Sequence, residues 1–223
     1  MSSVQEHNTE IYRRRFEADI EFRKGMYTIL CESFFQKYVP EDATILEIGA
    51  GYCEFINTIQ AKHKIVIDVN PDTCKYAKKT IDVITGKSTQ MDTIESESID
   101  RVFANNFFEH ITKPEIIQTL QETHRVLKRG GEILVLQPNI RYCAKDYWMF
   151  FDHITPLDDR SISEALEIAG FSVKECIPQF LPYTTKSRLP KTLIGLKVYI
   201  RLPVLWKLFG KQAFIRAGKR VDL

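Results

Sequence analysis

Residues 44–55, Thr-Ile-Leu-Glu-Ile-Gly-Ala-Gly-Tyr-Cys-Glu-Phe, decide the fold. An apolar run breaks on Gly49-Ala50-Gly51, and helix-compatible sequence follows. The pattern predicts a buried strand at 44–48, a tight loop and a helix from about residue 52 to 62. Downstream, KIVIDVN (64–70) predicts a second strand, and Pro71 stands at the start of a helix expected over Asp72–Val83. IDRVFANN (99–106) is a further strand. Thr112 is placed to cap a helix with Pro114 just inside it, and Ile116, Ile117, Leu120, His124 and Leu127 fall at helical spacing. Gly130 and Gly131 are expected to stop that helix before the strand EILVLQ (132–137). Ser161 or Ser163 caps a helix running to Ala169, with Gly170 at its end, and 171–177 and 212–218 read as the last strands. Upstream, residues 10–38 contain no proline and predict one or two helices that Pro40 closes.

Strands alternating with helices from residue 44 to 177 imply parallel crossover units, an α/β sheet covered on both faces, with ligands at the carboxyl ends of the strands. The expected organisation is an N-terminal helical cap (1–40), a core (41–182), a helical basic and aromatic insertion (183–211), and a final strand and tail (212–223).

Composition narrows the class without naming a partner. With 223 residues, 44% hydrophobic and 27% charged, the chain can bury a core of its own, which excludes a disordered, collagen-like or disulfide-stapled protein. The net charge of +2 is unevenly spread: residues 183–223 hold ten Lys and Arg against Asp222 alone, a net of +9, so residues 1–182 carry −7. The basic end points to an anionic surface or ligand, or to a solvated face. Five cysteines, an odd number with no C-x-x-C, fit reduced thiols in a cytoplasmic compartment. The polar N-terminus has no signal-peptide apolar run, and 193–209 is too interrupted by Lys197, Arg201, Pro203 and Lys207 to span a bilayer.

The loop chemistry favours a nucleoside. Asp68 ends the second strand 19 residues after Gly49, where a carboxylate accepts hydrogen bonds from both hydroxyls of a ribose. A dinucleotide site wants glycine at position 54, but this chain has Glu54, which would repel a diphosphate. With Glu47 just before the glycines, the acidic rim suits the ammonium and sulfonium of S-adenosyl-L-methionine. The alternative is that Glu47 and Glu54 are solvated helix-end charges.

ILEIGAGYCEF, IDVNPDT, IDRVFANNFFEH and HRVLKRGGEILVLQPN, in this order across about residues 40–140, resemble the class I S-adenosylmethionine-dependent methyltransferases of type 11/23. RVLKRGGEI is similar to that family's R-V-L-K-P-G-G signature, with Arg129 in place of the proline, and Cys53 stands where many members have the third glycine of E-x-G-x-G-x-G. The resemblance implies a Rossmann-like doubly wound sheet of seven strands, mostly parallel, with an antiparallel last strand. It also implies that Glu47, Gly49, Ala50 and Gly51 border the methionine moiety. Asp68 would hold the ribose with Val69 beside the adenine, Met91-Asp92 would cover the adenine, and Asn105 would sit near the methionine carboxylate and the methyl group.

Methyl transfer from a sulfonium needs alignment and exclusion of water, and a base only where the acceptor is a hydroxyl or a protonated amine. The candidates are His110 in FFEHI and His153 in FFDHITP, each preceded by a carboxylate and two phenylalanines. Packing or capping is the alternative role for both, and His124 reads as a core or edge residue. Residues 137–148 follow the fifth strand and place aromatic and polar groups where an acceptor pocket would form. The strand end NNFF lacks the N/D-P-P-Y/F of base-modifying enzymes, which argues against a nucleic-acid acceptor, and no zinc spacing or Walker loop occurs.

The segment 191–209, with Lys197 and Arg201 on one helix face, is a substrate wall, a peripheral membrane contact or a homodimer contact. Q-P-N-I-R-Y, F-D-H, F-L-P-Y-T and the late G-K-Q resemble methyltransferases encoded with bacterial polysaccharide-assembly enzymes. That resemblance implies O-methylation of a small molecule or glycan, on a sugar hydroxyl. The rival expectations are a cofactor-binding module without chemistry, an RNA methyltransferase and an NAD-dependent oxidoreductase.

Overall fold

The computed structural model describes residues 20–183 and 192–220. Helix α1 (Ile20–Ser33) and a 3-10 turn (Phe35–Tyr38) lead into strand β1 (Thr44–Ile48), helix α2 (Glu54–Thr58) and strand β2 (His63–Asp68). A 3-10 turn at Pro71–Lys75 precedes β3 (Asp82–Thr85) and β4 (Ile99–Asn105). A second such turn at Phe108–His110 precedes α3 (Lys113–Val126), β5 (Leu127–Pro138), α4 (Ile140–Tyr147), α5 (Asp159–Ile168) and β6 (Phe171–Ile177). Helices α6 (Leu193–Arg201) and α7 (Pro203–Phe209) then lead to β7 (Gln212–Lys219).

One seven-stranded sheet has the order β3-β2-β1-β4-β5-β7-β6. β1 to β5 pair in parallel, and β7 runs antiparallel between β5 and β6. This is the Rossmann-like α/β arrangement expected from the sequence. Strand order reverses between β1 and β4, so their carboxyl ends open the cleft.

Alternation with a period of two divides the strand side chains between two cores. Ile45, Phe103, Leu134, Leu136 and Phe214 face one side, where they meet Phe34, Phe35, Phe55 and Phe180. Leu46, Ile48, Val102, Ile133, Val135 and Ile215 face the other, against Ile116, Leu120, Ile162 and Leu166 of α3 and α5. The first core is aromatic. Phe34 stacks on Phe180 with ring centres 4.1 Å apart and Phe55 on Phe103 at 3.8 Å, each pair adding about 0.5–1.5 kcal/mol beyond the area it buries.

Five expectations change. The helix after the glycine loop is only Glu54–Thr58 rather than 52–62. The helix expected over Asp72–Val83 is a 3-10 turn followed by β3, because Asp82-Val83-Ile84-Thr85 pair with Ile65–Asp68 and the β-branched run is more stable in the sheet. Gly130-Gly131 do not stop α3. Leu127 is already extended and pairs with Ile99, Lys128 binds Asp100 at 2.9 Å, and Gly130, at φ +76°, serves a bulge in β5. The single stretch 191–209 is two helices broken before Pro203. Thr112 does cap α3, in a reciprocal capping box with Glu115, and Asp158 rather than Ser161 or Ser163 caps α5. Residues 10–19 of the expected N-terminal helices, and Lys186, Arg188 and Lys191 of the basic end, lie outside the described residues.

Candidate functional site

The glycine loop is a run of left-handed backbone between β1 and α2: Gly49 at φ +68°, Gly51 at +52° and Cys53 at +59°. A Cβ on Gly49 would stand 2.5 Å from the Phe107 ring, so glycine is required there both by conformation and by space. Cys53 adopts the left-handed conformation without being glycine, its side chain fully buried. Cys53 thus holds a backbone conformation that glycine adopts at no steric cost.

Three carboxylates surround this loop. Glu47 is buried and accepts a hydrogen bond from the Ile56 N–H at 3.1 Å. Burial holds its carboxyl well above the usual range, and the neighbouring Glu54 pushes it further. Asp68 accepts from the Gly51 N–H at 3.0 Å and the Asn70 N–H at 2.8 Å, which ties the glycine loop to the end of β2. Burial raises its carboxyl too, and those two amides partly counteract the shift. Glu54 is not a solvated charge. It is buried and paired with Arg23 of α1, which is itself mostly buried. Arg23 neutralises the carboxylate that was expected to repel a diphosphate, so that part of the sequence argument loses its force. The acidity of the rim rests on Glu47 and Asp68 instead.

One turn beyond Arg23 on α1, the Tyr27 hydroxyl accepts from the Asn105 side-chain amide at the end of β4. The Asn105 Oδ1 is buried without a partner among the described residues. Glu47, Asp68 and this orphan oxygen are acceptors, and together they fit a ligand rich in N–H and O–H donors and positive charge. Arg23 and Tyr27 carry no motif in the sequence, and their spacing of four on a helix is the only signal that could have found them. Val69 is exposed beyond β2. Met91 is different: its side chain lies in the second core, while its N–H donates to Glu122 and its carbonyl accepts from Arg125. The side chain exposed at that loop is Asp92.

On the other flank the structure brings His110 and His153 together, with ring centres 4.9 Å apart and the planes nearly perpendicular. The Glu109 carbonyl accepts from the N–H groups of Ile154 and Thr155 at 2.9 and 3.2 Å, and the Thr155 hydroxyl donates to the Ile111 carbonyl at 2.6 Å, so FFDHITP is laced across FFEHI. His110 Nδ1 is 3.1 Å from the Asp152 carbonyl oxygen and 3.3 Å from its carboxylate. His153 is buried, with the Tyr183 hydroxyl 3.5 Å from its Nδ1. Glu109 is buried beneath them, and burial raises its carboxyl while His110 acts the other way. Phe107 links the flanks, lying on Gly49 three residues before His110.

The segment 137–148 divides between structure and rim. Arg141 pairs with Asp159 at 2.8 Å, Asp146 with Lys211 at 2.8 Å, and Tyr147 is buried with its hydroxyl on the Thr155 carbonyl. Trp148, Met149, Phe151 and Ile154 are exposed. Helix α6 packs on α1, where Leu193 lies against Gly25, while Ile194, Val198, Val204 and Leu208 face outward. Among the described residues no helix is long and apolar enough to cross a membrane.

Residues 46–135 match the model of a methyltransferase domain family, Methyltransf_11. The chain is 30% identical over 113 residues to the ubiquinone/menaquinone biosynthesis C-methyltransferase UbiE of Rhizobium meliloti, covering 44% of this chain and 42% of that protein. The chain spans less than half the length of the curated relatives it matches. Among solved structures it resembles a SAM-dependent methyltransferase from Archaeoglobus fulgidus (20% identity, TM-score 0.66, covering 92% of this chain and 99% of that one). It also resembles a chain from a complex of the Haloferax volcanii Trm112 methyltransferase activator (17% identity, TM-score 0.66, covering 92% and 94%). With the glycine loop, the acid after β2 and the strand order in agreement, residues 46–135 carry the pattern of a type 11 methyltransferase domain within a Rossmann-like methyltransferase fold.

Proposed function

We propose that the protein moves the methyl group of S-adenosylmethionine onto an oxygen of a small molecule or glycan, a sugar hydroxyl being the favoured acceptor. The observation that carries this reading is the meeting of the acceptor-lined glycine loop and the His110–His153 pair at one end of the sheet. The sulfonium supplies a carbon already activated for displacement, so the protein's tasks are alignment, exclusion of water and removal of the hydroxyl proton. Glu47, Gly49, Ala50 and Gly51 border the methionine moiety in this reading. Asp68 keeps lone pairs for the ribose beyond those its two amides use. Val69 and Asp92 flank the adenine, with Met91 buried behind Asp92 to hold the loop in place, and Asn105 offers its orphan oxygen to the methionine end.

His110 and His153 are assigned to proton transfer. Asp152 holds the His110 Nδ1 proton, which leaves the Nε2 lone pair to accept from the acceptor hydroxyl. The exposed Trp148, Met149 and Phe151 support an acceptor with an apolar anchor, as a lipid-linked glycan has. The apolar outer face of α6 and α7, with Lys197, Arg201 and Lys207, supports peripheral contact with an anionic membrane, which co-sedimentation with anionic vesicles would test.

Transfer of label from methyl-tritiated S-adenosylmethionine to a panel of glycans and small hydroxyl compounds tests the activity. His110→Ala should lower turnover on the order of 10²-fold or more. A product methylated on carbon would replace the oxygen reading with the chemistry named for the UbiE relative. No transfer to any acceptor would leave the cofactor-binding module.

A further inference from the structure

Glu109, His110 and His153 offer a carboxylate oxygen and two imidazole nitrogens that all lie within 4.8 Å of one another. Two features go beyond what packing requires. Among the described residues Glu109 Oε2 has no hydrogen-bond partner of good geometry although the residue is only 1% exposed, the Gln137 side chain being a polar neighbour of the carboxyl, and a buried carboxylate oxygen so placed is costly unless something positive meets it. The His110 ring is oriented from behind, since its Nδ1 faces the carbonyl and carboxylate of Asp152 and its Nε2 lies 3.8 Å from Glu109 Oε1. A carboxylate or carbonyl on the far nitrogen is how metal-bound imidazoles are held and their tautomer fixed. Ligand atoms ~2.0–2.1 Å from a tetrahedral ion stand about 3.3 Å apart, so the 3.8 Å pair is a few tenths of an ångström from binding geometry. Two imidazoles and one carboxylate suit a first-row transition ion and leave one position of a tetrahedral ion open.

We propose that Glu109, His110 and His153 bind one divalent first-row transition-metal ion at the acceptor end of the cleft, with Asp152 as the residue that positions His110. On a tetrahedral ion the one remaining position takes oxygen, and it suits a hydroxyl of a sugar. Resting on the proposed methyl transfer, a hydroxyl held there is more acidic and releases its proton to solvent water as its oxygen takes the methyl group from the sulfonium, so the reaction needs no imidazole base.

The test titrates Co2+ alone into the full chain and follows its visible absorption, with no S-adenosylmethionine present, so the metal site succeeds or fails apart from the activity. The expected result is one Co2+ per chain, lost with His110→Ala or His153→Ala and weakened at least tenfold by Glu109→Gln. Asp152→Asn should weaken it about 10- to 100-fold. His63→Ala, on the exposed start of β2, should leave it unchanged. If the histidine variants unfold, the near-isosteric Glu109→Gln and Asp152→Asn carry the test, with circular dichroism as the check on folding. Absence of stoichiometric Co2+ binding by the folded wild type, or undiminished binding by both near-isosteric variants, would overturn the site. Co2+ binding together with methyl transfer that is indifferent to chelator would keep the site and refute its coupling to the reaction.

Discussion

The two flanks of the cleft are made differently. The flank proposed to hold the cofactor is mostly backbone, local in sequence: three left-handed residues within five positions, tied to Asp68 by one amide. The acceptor flank is made of side chains from two segments, His110 after β4 and His153 after α4, which only the folded chain brings together. A loop whose shape comes from glycine tolerates little change at the glycines. A side-chain cluster can lose one member and keep the fold around it.

That contrast predicts where damage should fall. Gly49→Ala forces a left-handed φ on alanine and a Cβ into Phe107, which should cost about 2–5 kcal/mol of stability. It should also abolish cofactor binding, which calorimetry reads. An intact cofactor site in that variant would break the contrast. Arg23→Ala leaves Glu54 buried without its cation and should cost about 3 kcal/mol in chemical denaturation, far more than a surface pair is worth. A loss below about 1 kcal/mol would show that water replaces the guanidinium.

Much of the glycine-loop flank was legible in the sequence because its signals are local. Glycines after an apolar run, an acid at the next strand end and the order of strands are all contiguous readings. β3 was not legible, since Asp82–Thr85 is short and becomes a strand only through pairing with β2. Leu127 sits at helical spacing with Leu120 and His124, yet pairing with Ile99 extends it. Glu47 and Glu54 read either as an acidic rim for a cationic ligand or as solvated helix-end charges, and only their burial, with Arg23 of α1 on Glu54, removes the solvated reading. His110 and His153 were each visible as candidates, but nothing in one dimension put their rings in contact.

Smaller effects sharpen the comparison. The raised carboxyl of Glu47 means that the unfolded chain ionises at lower pH than the native one. Its ionisation therefore costs stability above the ordinary glutamate range, increasingly so as pH rises toward the native pKa, and costs nothing below it. Glu47→Gln should raise the Tm at pH 8 relative to wild type, and the gap should close near pH 4. A gap that widens on acidification would reverse the assignment. The smallest effect belongs to Cys53→Gly. Relief of left-handed strain, about 1–2 kcal/mol, nearly offsets the lost burial of the thiol and the entropy of glycine. Stability should stay within about 1 kcal/mol by those terms, with cofactor affinity nearly unchanged.

The central claim is that the acceptor-lined glycine loop holds the adenosyl cofactor, and calorimetric titration with S-adenosylhomocysteine tests it most directly. The account predicts one site per chain, weakened about ten- to hundredfold by Asp68→Ala as a charged hydrogen-bond acceptor is removed. No binding by the wild type, or tight binding of NADH in its place, would contradict it.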